Sequence, residues 1–189
     1  MFKAKVSRPD KNRQRRLKIE SLEVRRVLAS SVGWDGPGQG TAELSYYIGE
    51  TPGTLSRSET VAAIETALDA WSSVIDVNFT ATPLPQLDDS LDISFTTIDG
   101  PGGTLARAYF PDDINRSQIA GDIRFDATEN WEVGNSRGSR AFDLVWVAAH
   151  EIGHALGIHH LDQPGSVLAP SVSSSRSFNG LTDADIAAA

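Results

Sequence analysis

The sequence predicts an α+β domain, and three observations support this prediction. Segments with strand-like and helix-like hydrophobic spacing follow one another in the order β-α-β-β-β-β, then helix, loop and helix. The 189 residues are 40% hydrophobic and 22% charged, which is typical of a globular chain with a sizeable core. No run approaches 18 consecutive apolar residues, so we expect no transmembrane segment.

Charge is distributed unevenly along the chain. Residues 1–30 contain ten lysine and arginine residues against three acidic ones, whereas residues 31–189 contain seven arginines against 22 acidic residues. Because so acidic a body repels phosphate backbones, we expect no nucleic-acid partner, and hard cations such as calcium suit it better. Cysteine is absent, which excludes disulfides, thiolate metal sites and cysteine nucleophiles.

The chain is expected to divide into three parts. Residues 1–30 lack the apolar stretch of an ordinary secretory signal peptide. Residues 17–29 resemble a short leader found on exported proteins of certain environmental bacteria, so we predict a disordered, export-type basic leader; a basic arm or a short amphipathic helix is the alternative. Residues 31–40 are turn-rich and predict a linker, and residues 41–189 form the predicted domain.

In the first half of the domain, strands are predicted over residues 41–49, 77–80 and 91–97, with a Pro/Asp loop over 82–90. Between the first two strands, residues 56–74 predict a helix with Ser58 as its N-cap. Five apolar side chains are expected on one face of this helix: Val61, Ile64, Ala67, Leu68 and Trp71.

The second half predicts a tight turn over residues 99–103, strands over 104–110 and 121–125, and loops over 111–120 and 171–180. A second long helix is expected from about Arg140 to Ala155 or Leu156. Gly157 should end it, because glycine adopts the left-handed conformation without steric cost. A final helix starts within residues 181–189, capped by Thr182.

All four histidines fall within residues 150–160, in the sequence HEIGHALGIHH. His150 and His154 are four residues apart, so on a helix both imidazoles project from one face and can share a tetrahedral metal ion. Glu151 is displaced around the helix, where its carboxylate can act on a bound water. After the turn at Gly157, His160 can supply a third nitrogen. Three protein ligands leave a fourth position open, which is typical of catalytic rather than structural zinc.

The motif HExxHxxGxxH resembles the signature of metzincin zinc proteases, and its surroundings are most similar to the matrixin branch. Residues 147–157 match that branch's active-site helix, and residues 166–170 stand at its Met-turn. Residues 99–106 and 125–131 resemble the segments around its calcium site. The resemblance covers residues 40 to 189. It implies a twisted, mixed, mostly parallel sheet with two long helices packed on it, HExxH on the second, and a small C-terminal subdomain with a Met-turn-like loop and the final helix.

By this resemblance the chain is a zinc-dependent endopeptidase acting on extracellular proteins. The implied zinc ligands are His150, His154 and His160, and Glu151 is the general base toward a metal-activated water. The alternative is a catalytically silent, metal-binding surface or interaction module on the same fold. The resemblance also implies a protein or peptide substrate, a monomer, and a secreted or cell-surface location in a bacterium.

Calcium and substrate sites are implied in the same way. The first calcium ion would be held by the side chains of Asp99, Asp126 and Glu129 and the carbonyls of Gly100, Gly102 and Thr104. A second would use Asp92 and Asp122 with the carbonyls of Gln118 and Ala120. Solvated loop carboxylates are the alternative. The strand over residues 104–110 would form the upper edge of the cleft, an ordinary edge strand being the alternative. Substrate contacts are implied for Leu105, Ala106, Trp146 and Pro170.

The sequence departs from the matrixin pattern at several positions. Leu168 replaces the Met-turn methionine, a change of similar volume that an apolar floor should tolerate. Arg107 and Arg124 stand where matrixins carry two structural-zinc histidines, and the His-Gly-Asp loop before Asp99 is missing. We therefore expect one zinc ion and no structural zinc. His159 neighbours an implied ligand at the wrong offset and is expected on the surface or at the rim of the cleft.

Overall fold

The computed structural model describes residue 34 and residues 41–111, 115–137 and 140–189. The predicted leader and all of the predicted linker except Trp34 lie outside these residues, so the division into three parts stays a prediction. The Trp34 indole donates a hydrogen bond to the Ala155 carbonyl at 3.1 Å and packs against the core. In the part of the chain that is described, no helix has the length and apolar character needed to cross a membrane.

Strands and helices follow the predicted order along the chain, with two additional short strands before the second long helix. The strands are β1 (Ala42–Ile48), β2 (Val77–Ala81), β3 (Ser90–Thr96), β4 (Ala106–Ala108), β5 (Ile123–Asp126), β6 (Trp131–Glu132) and β7 (Phe142–Asp143). The helices are α1 (Arg57–Ser72), α2 (Leu144–Ala155) and α3 (Asp183–Ala188).

One mixed sheet organises the domain. Its strand order is β2-β1-β3-β5-β4; β1, β2, β3 and β5 are parallel, and β4 pairs antiparallel with β5 at one edge. The predicted α+β class with a mostly parallel sheet is therefore confirmed. The pair β6 and β7 forms a second, two-stranded parallel sheet, which is not among the strands predicted from the sequence.

Helix α1 begins at a different cap from the predicted one. Ser56, not Ser58, is the N-cap: its hydroxyl accepts a hydrogen bond from the Glu59 amide, and the Glu59 carboxylate accepts one from the Ser56 amide. This reciprocal capping box is available because Glu59 stands three residues after Ser56, which was the decisive signal in the sequence. Of the predicted apolar face, Val61 is half-buried at the margin, and Thr60 and Ala63 are buried beside the other four residues.

Helix α2 begins at Leu144 rather than near Arg140. Phe142 and Asp143 are extended because they pair with β6, and the Asp143 carboxylate then caps the helix by accepting a hydrogen bond from the Val145 amide. The helix ends as predicted, with Gly157 at φ +94°.

The two strands predicted over residues 104–110 and 121–125 differ in their bounds from the observed ones. The strand predicted over residues 104–110 is β4, only three residues long, and the strand predicted over 121–125 is β5, Ile123–Asp126. The Thr104 amide donates a hydrogen bond to the Asp99 carboxylate, which holds Thr104 in the turn before β4. Gly121, at φ +78°, belongs to the turn that precedes β5. Turn geometry, which local hydrophobic spacing does not encode, thus limits both strands.

The core lies between the sheet and the two long helices. The buried Trp71 indole on α1 donates a hydrogen bond to the Ala149 carbonyl on α2 at 2.8 Å, which ties the helices together. A Cβ atom at Gly153 would lie 2.6 Å from Leu168 and 3.0 Å from the Trp71 ring. Glycine at this position of α2 therefore lets the predicted apolar floor, the fully buried Leu168, approach the helix backbone.

Candidate metal centre and substrate cleft

Three imidazoles converge at the end of α2. His150 and His154 project from one face of this helix, and Gly157 returns the chain so that His160 approaches them. One ring nitrogen from each side chain lies within 4.8 Å of the others, and the Nε2 atoms of His150 and His154 are 3.0 Å apart. Among the described residues, these three histidines form a group whose ring nitrogens are close enough together to hold one metal ion.

Backbone carbonyls determine which ring nitrogens are available. The His150 Nδ1 donates a hydrogen bond to the Val167 carbonyl at 2.6 Å, and the His154 Nδ1 donates one to the Ile158 carbonyl at 2.7 Å. Burial, with a smaller contribution from His154, lowers the pKa of His150 to about 4, and burial also lowers the pKa of His154. Both rings are therefore neutral at pH 7, with the Nε2 lone pairs pointing into the site.

This arrangement fits a zinc ion. Two neutral Nε2 atoms at 3.0 Å present lone pairs to each other with no proton between them, which is repulsive unless a cation lies beside both. Two nitrogens bound tetrahedrally to zinc at 2.0–2.1 Å lie about 3.3 Å apart, close to the observed separation. The donor set of three imidazoles is one that zinc prefers.

Glu151 faces the same cavity as the histidines. Its side chain is 6% exposed, and its carboxylate accepts no hydrogen bond from any residue in the described ranges. Burial raises the pKa of Glu151 to about 8. The carboxylate oxygens are not among the fully buried side-chain oxygens that lack a partner, and Glu151 lines the cleft. A carboxyl group with a raised pKa that opens into a cleft is typical of sites of proton transfer.

A cleft of about 720 Å³ surrounds this centre. The four residues to which substrate contacts were assigned line it: Leu105, Ala106, Trp146 and Pro170. Further residues that were not predicted from the sequence also line the cleft: Phe110, Phe142, Val147, Ala169, Ser171 and Val172. Val147 could have been found, because it lies three residues before His150 on the same helix face. No local sequence signal marks the others, which reach the cleft through the tertiary fold.

Phe110 covers one side of the histidine cluster. Its ring centroid is 5.2 Å from that of His154 and 4.9 Å from that of His159, with which it stacks. His159 itself is exposed, as expected. The aromatic contact restricts access of bulk water to His154.

The free edge of β4 borders the cleft. The Leu105 carbonyl accepts a hydrogen bond from the Asp126 amide, and the Tyr109 amide donates one to the Asp122 carbonyl. The backbone groups of both residues therefore point toward the β5 side. In an antiparallel ladder alternate residues point their N–H and C=O groups the other way. The backbone groups of Ala106 and Ala108 therefore point toward the open edge, where an extended peptide can add as a further strand.

A hydrogen-bond network connects the final helix to the metal centre. The buried Asp185 carboxylate accepts hydrogen bonds from the Ser166 hydroxyl, the Val167 amide, and the amide and hydroxyl of Thr182. The Val167 carbonyl in turn accepts the hydrogen bond from His150. The capping box of α3 thereby fixes the segment that orients one imidazole.

The residues implied for the first calcium site converge on the turn over residues 99–104. The Asp126 carboxylate accepts hydrogen bonds from the Ile98, Asp99 and Gly100 amides, and Glu129 accepts one from the Gly102 amide. Burial raises the pKa of Asp126, but hydrogen bonds from Thr128 and the turn amides outweigh it and hold the pKa below its usual range. These oxygens already have donors, so a calcium ion would compete with them.

The residues implied for the second calcium site leave an oxygen unsatisfied. Asp92 and Asp122 are adjacent, because the Asp92 amide donates to the Asp122 carboxylate at 3.2 Å. The Asp92 Oδ1 atom is buried and has no hydrogen-bond partner among the residues that the structure describes. Burial raises the pKa of both groups, that of Asp122 to about 6. Gln118 and Ala120 lie on the turn before Asp122, whose amide bonds the Ile119 carbonyl. An orphaned buried carboxylate oxygen fits a bound cation.

Comparison with known proteins relates this geometry to a family. The sequence model described as Matrixin matches residues 38–189. The chain is 35% identical over 152 residues to stromelysin-3 of Xenopus laevis, an overlap that covers 77% of this chain and 29% of that protein. It is 36% identical over 140 residues to matrix metalloproteinase-16 of Homo sapiens, covering 67% of this chain and 22% of that protein. With matrix metalloproteinase-20 of Homo sapiens the identity is 36% over 136 residues, covering 68% of this chain and 26% of that protein. The chain thus spans about a quarter of the length of these curated relatives.

Proposed function

The chain belongs to the matrixin family of zinc metalloendopeptidases, and from this membership we propose that it hydrolyses peptide bonds within extracellular proteins, with Glu151 as general base. The proposed zinc ligands are His150, His154 and His160. The observation that carries this assignment is the pair of facing Nε2 lone pairs beside an unpartnered, buried glutamate.

Each side chain of the centre has a role in the proposed reaction. A bound zinc ion would polarise the scissile carbonyl and bring the pKa of a bound water close to neutrality. Glu151 accepts a proton from the attacking water and then donates it to the leaving amine nitrogen. Val167 and Ile158 hold the two helix imidazoles in the required tautomer through their carbonyls. The open edge at Ala106 and Ala108 aligns the peptide.

An assay of fluorogenic peptides with and without a zinc chelator tests the proposal. We expect turnover that the chelator removes and added zinc restores. Tight peptide binding without any turnover in the zinc-loaded protein would instead favour a catalytically silent module on the same fold. The full chain and residues 31–189 are assayed in parallel, because residues 1–30 are basic whereas the remaining residues are acidic.

We also propose up to two calcium ions, since matrixins generally use structural calcium. Calcium bound only by the folded state raises stability by mass action, so millimolar calcium should raise the Tm by about 5 °C. The Asp92→Asn and Glu129→Gln variants should each lose part of this rise, because each removes one carboxylate charge from one of the two sites.

Asp69→Asn is the matched control for the calcium experiment, since Asp69 is exposed on α1 and far along the chain from both sites. Differential scanning calorimetry with calcium and with a calcium chelator measures the shift. A parent protein whose Tm ignores calcium, or an Asp69→Asn variant that loses the shift equally, would contradict both sites.

Trp146 is proposed to limit the depth of the cleft beside the metal centre. It is 6% exposed, lines the cavity, and stacks on His150 with a centroid distance of 5.8 Å. We expect a preference for alanine, valine or leucine just after the scissile bond. Trp146→Leu should raise cleavage of substrates with long side chains there by about tenfold, because each methylene in such a pocket is worth only about 1–3 kcal/mol.

Peptide-library profiling of both proteins checks this prediction. Trp34→Leu is the control, because Trp34 packs on the core away from the cleft residues. Unchanged selectivity in Trp146→Leu, with the fold intact by circular dichroism, would assign Trp146 to the core instead.

A further inference from the structure

Two arginines lie side by side at the edge of the sheet that borders the cleft. In the antiparallel pair of β4 and β5, Arg107 is directly opposite Arg124, so both side chains are on the same face. Both are exposed, and the neighbours of Arg107 on β4, Ala106 and Ala108, pack toward the core from the other face. Like charges directly opposite each other destabilise a sheet, so this pairing works against the fold unless an anion binds there.

Neither arginine is neutralised by the described residues. Neither guanidinium forms an ion pair or hydrogen bond within those ranges. The Arg124 guanidinium lies over the Tyr109 ring, 5.4 Å from its centroid, and this contact orients it. Asp122, which immediately precedes β5, interacts electrostatically with Arg124, but it is buried and accepts a hydrogen bond from the Asp92 amide.

The charge of the pair contrasts with the rest of the domain. Residues 31–189 contain seven arginines, no lysine and 22 acidic residues, so two of the few cationic side chains are adjacent on the cleft edge. Arg107 is itself one of the residues that line the cleft. A positive site within an acidic surface selects for a substrate that carries negative charge at the matching position.

Strand addition determines where that position is. Two residues of a bound peptide form backbone hydrogen bonds with Ala106 and Ala108. The peptide residue between these two then lies directly opposite Arg107. The side chain of that residue stands on the exposed face, with its Cβ about 4.5–5.5 Å from that of Arg107. Arg107 and Arg124 can then both reach one carboxylate, which guanidinium groups bind with two parallel hydrogen bonds.

We propose that Arg107 and Arg124 form an acid-recognition site that favours substrates with an aspartate or glutamate opposite Arg107. This inference rests on the proposed endopeptidase function, because it requires an extended peptide along β4. The two arginines, which stand where the matrixin pattern has structural-zinc histidines, would then select the substrate instead of binding a metal ion.

Pairs of fluorogenic peptides that differ in a single Glu or Gln test the site, with the variable position moved through each residue on both sides of the scissile bond. At one position we expect kcat/KM to be about fivefold higher for Glu, a preference that shrinks in 0.5 M salt. The double variant R107Q/R124Q should reduce the Glu/Gln ratio to near one, and each single variant should give an intermediate ratio. Arg137→Gln is the control, because Arg137 is also exposed but does not line the cleft.

The outcomes separate this inference from the proposed function. Cleavage of all peptides with equal rates for Glu and Gln, or an equal loss of preference in Arg137→Gln, overturns the acid-recognition site alone. If the parent cleaves no peptide, the endopeptidase proposal fails, and fluorescence anisotropy with the same labelled peptides still decides the site. Preferential binding of the Glu peptide that R107Q/R124Q abolishes supports it, and equal binding refutes it.

Discussion

Replacing Glu151 with alanine is expected to lower kcat/KM by about 10²–10⁴-fold while leaving one zinc ion per chain. General-base catalysis by a positioned carboxylate contributes an acceleration of this size. The carboxylate makes no hydrogen bond with the described residues and carries a raised pKa from burial. Its removal should therefore lower the Tm little, because no hydrogen bond within the described residues is lost and a partly desolvated carboxyl group is removed.

Kinetics on peptide substrates, elemental analysis and calorimetry on the same preparations check this expectation. Glu50→Ala, at an exposed glutamate after β1, should retain full activity. His154→Ala should lose the zinc as well as turnover, which distinguishes a ligand from a base. Parent-like cleavage by Glu151→Ala would falsify the proposed mechanism, and two zinc ions per chain would contradict the inferred loss of the structural zinc site.

Replacing Asp185 with alanine is expected to lower the free energy of unfolding more than any other single change among the residues that support the metal centre without being proposed ligands. The Asp185 carboxylate is buried and accepts four hydrogen bonds, from the Ser166 hydroxyl, the Val167 amide, and the amide and hydroxyl of Thr182. The substitution leaves these four donors without their acceptor. Unsatisfied buried donors cost about 1–3 kcal/mol each, with partial relaxation, so the free energy of unfolding should fall by about 3–5 kcal/mol. For a domain of this size the Tm falls by about 10 °C.

The same variant should weaken zinc binding by about tenfold, because the Val167 carbonyl no longer holds the His150 ring firmly. Competition with a fluorescent zinc chelator, below the melting transition of the variant, measures this affinity. Asp183→Ala is the matched control: Asp183 is exposed on the first turn of the same helix and should cost less than about 1 kcal/mol. Unchanged zinc affinity in Asp185→Ala would restrict the network to a purely structural role.

The residues that could be predicted are those whose partners are close in the chain. Helical spacing alone places His150 and His154 on one face, and Gly157 ends the helix with a positive φ as its chemistry requires. The order of strands and helices follows from hydrophobic periodicity for the same reason. The capping box at Ser56 is also local, because Glu59 stands three residues after it, whereas the predicted cap Ser58 has Val61 at that spacing.

Contacts between distant segments could only be decided by the tertiary structure. The start of α2 depends on pairing between β6 and β7, and the length of β4 depends on a turn held by the Asp99 carboxylate. Local hydrophobic spacing does not predict which distant segment pairs with a given backbone group, because any donor or acceptor that the fold brings near can satisfy that group.

The amino-acid sequence by itself predicts the cluster of three imidazoles with Glu151 beside it, because all the spacings are short: two histidines on one helix turn and a third just after Gly157. The tertiary structure decided how those groups are tuned: the Val167 and Ile158 carbonyls select the ring tautomers, and Asp185 holds the segment that supplies one of them. It also decided that Arg107 meets Arg124. Strand register follows from which faces can be buried together, and that depends on the whole packed core rather than on either strand alone.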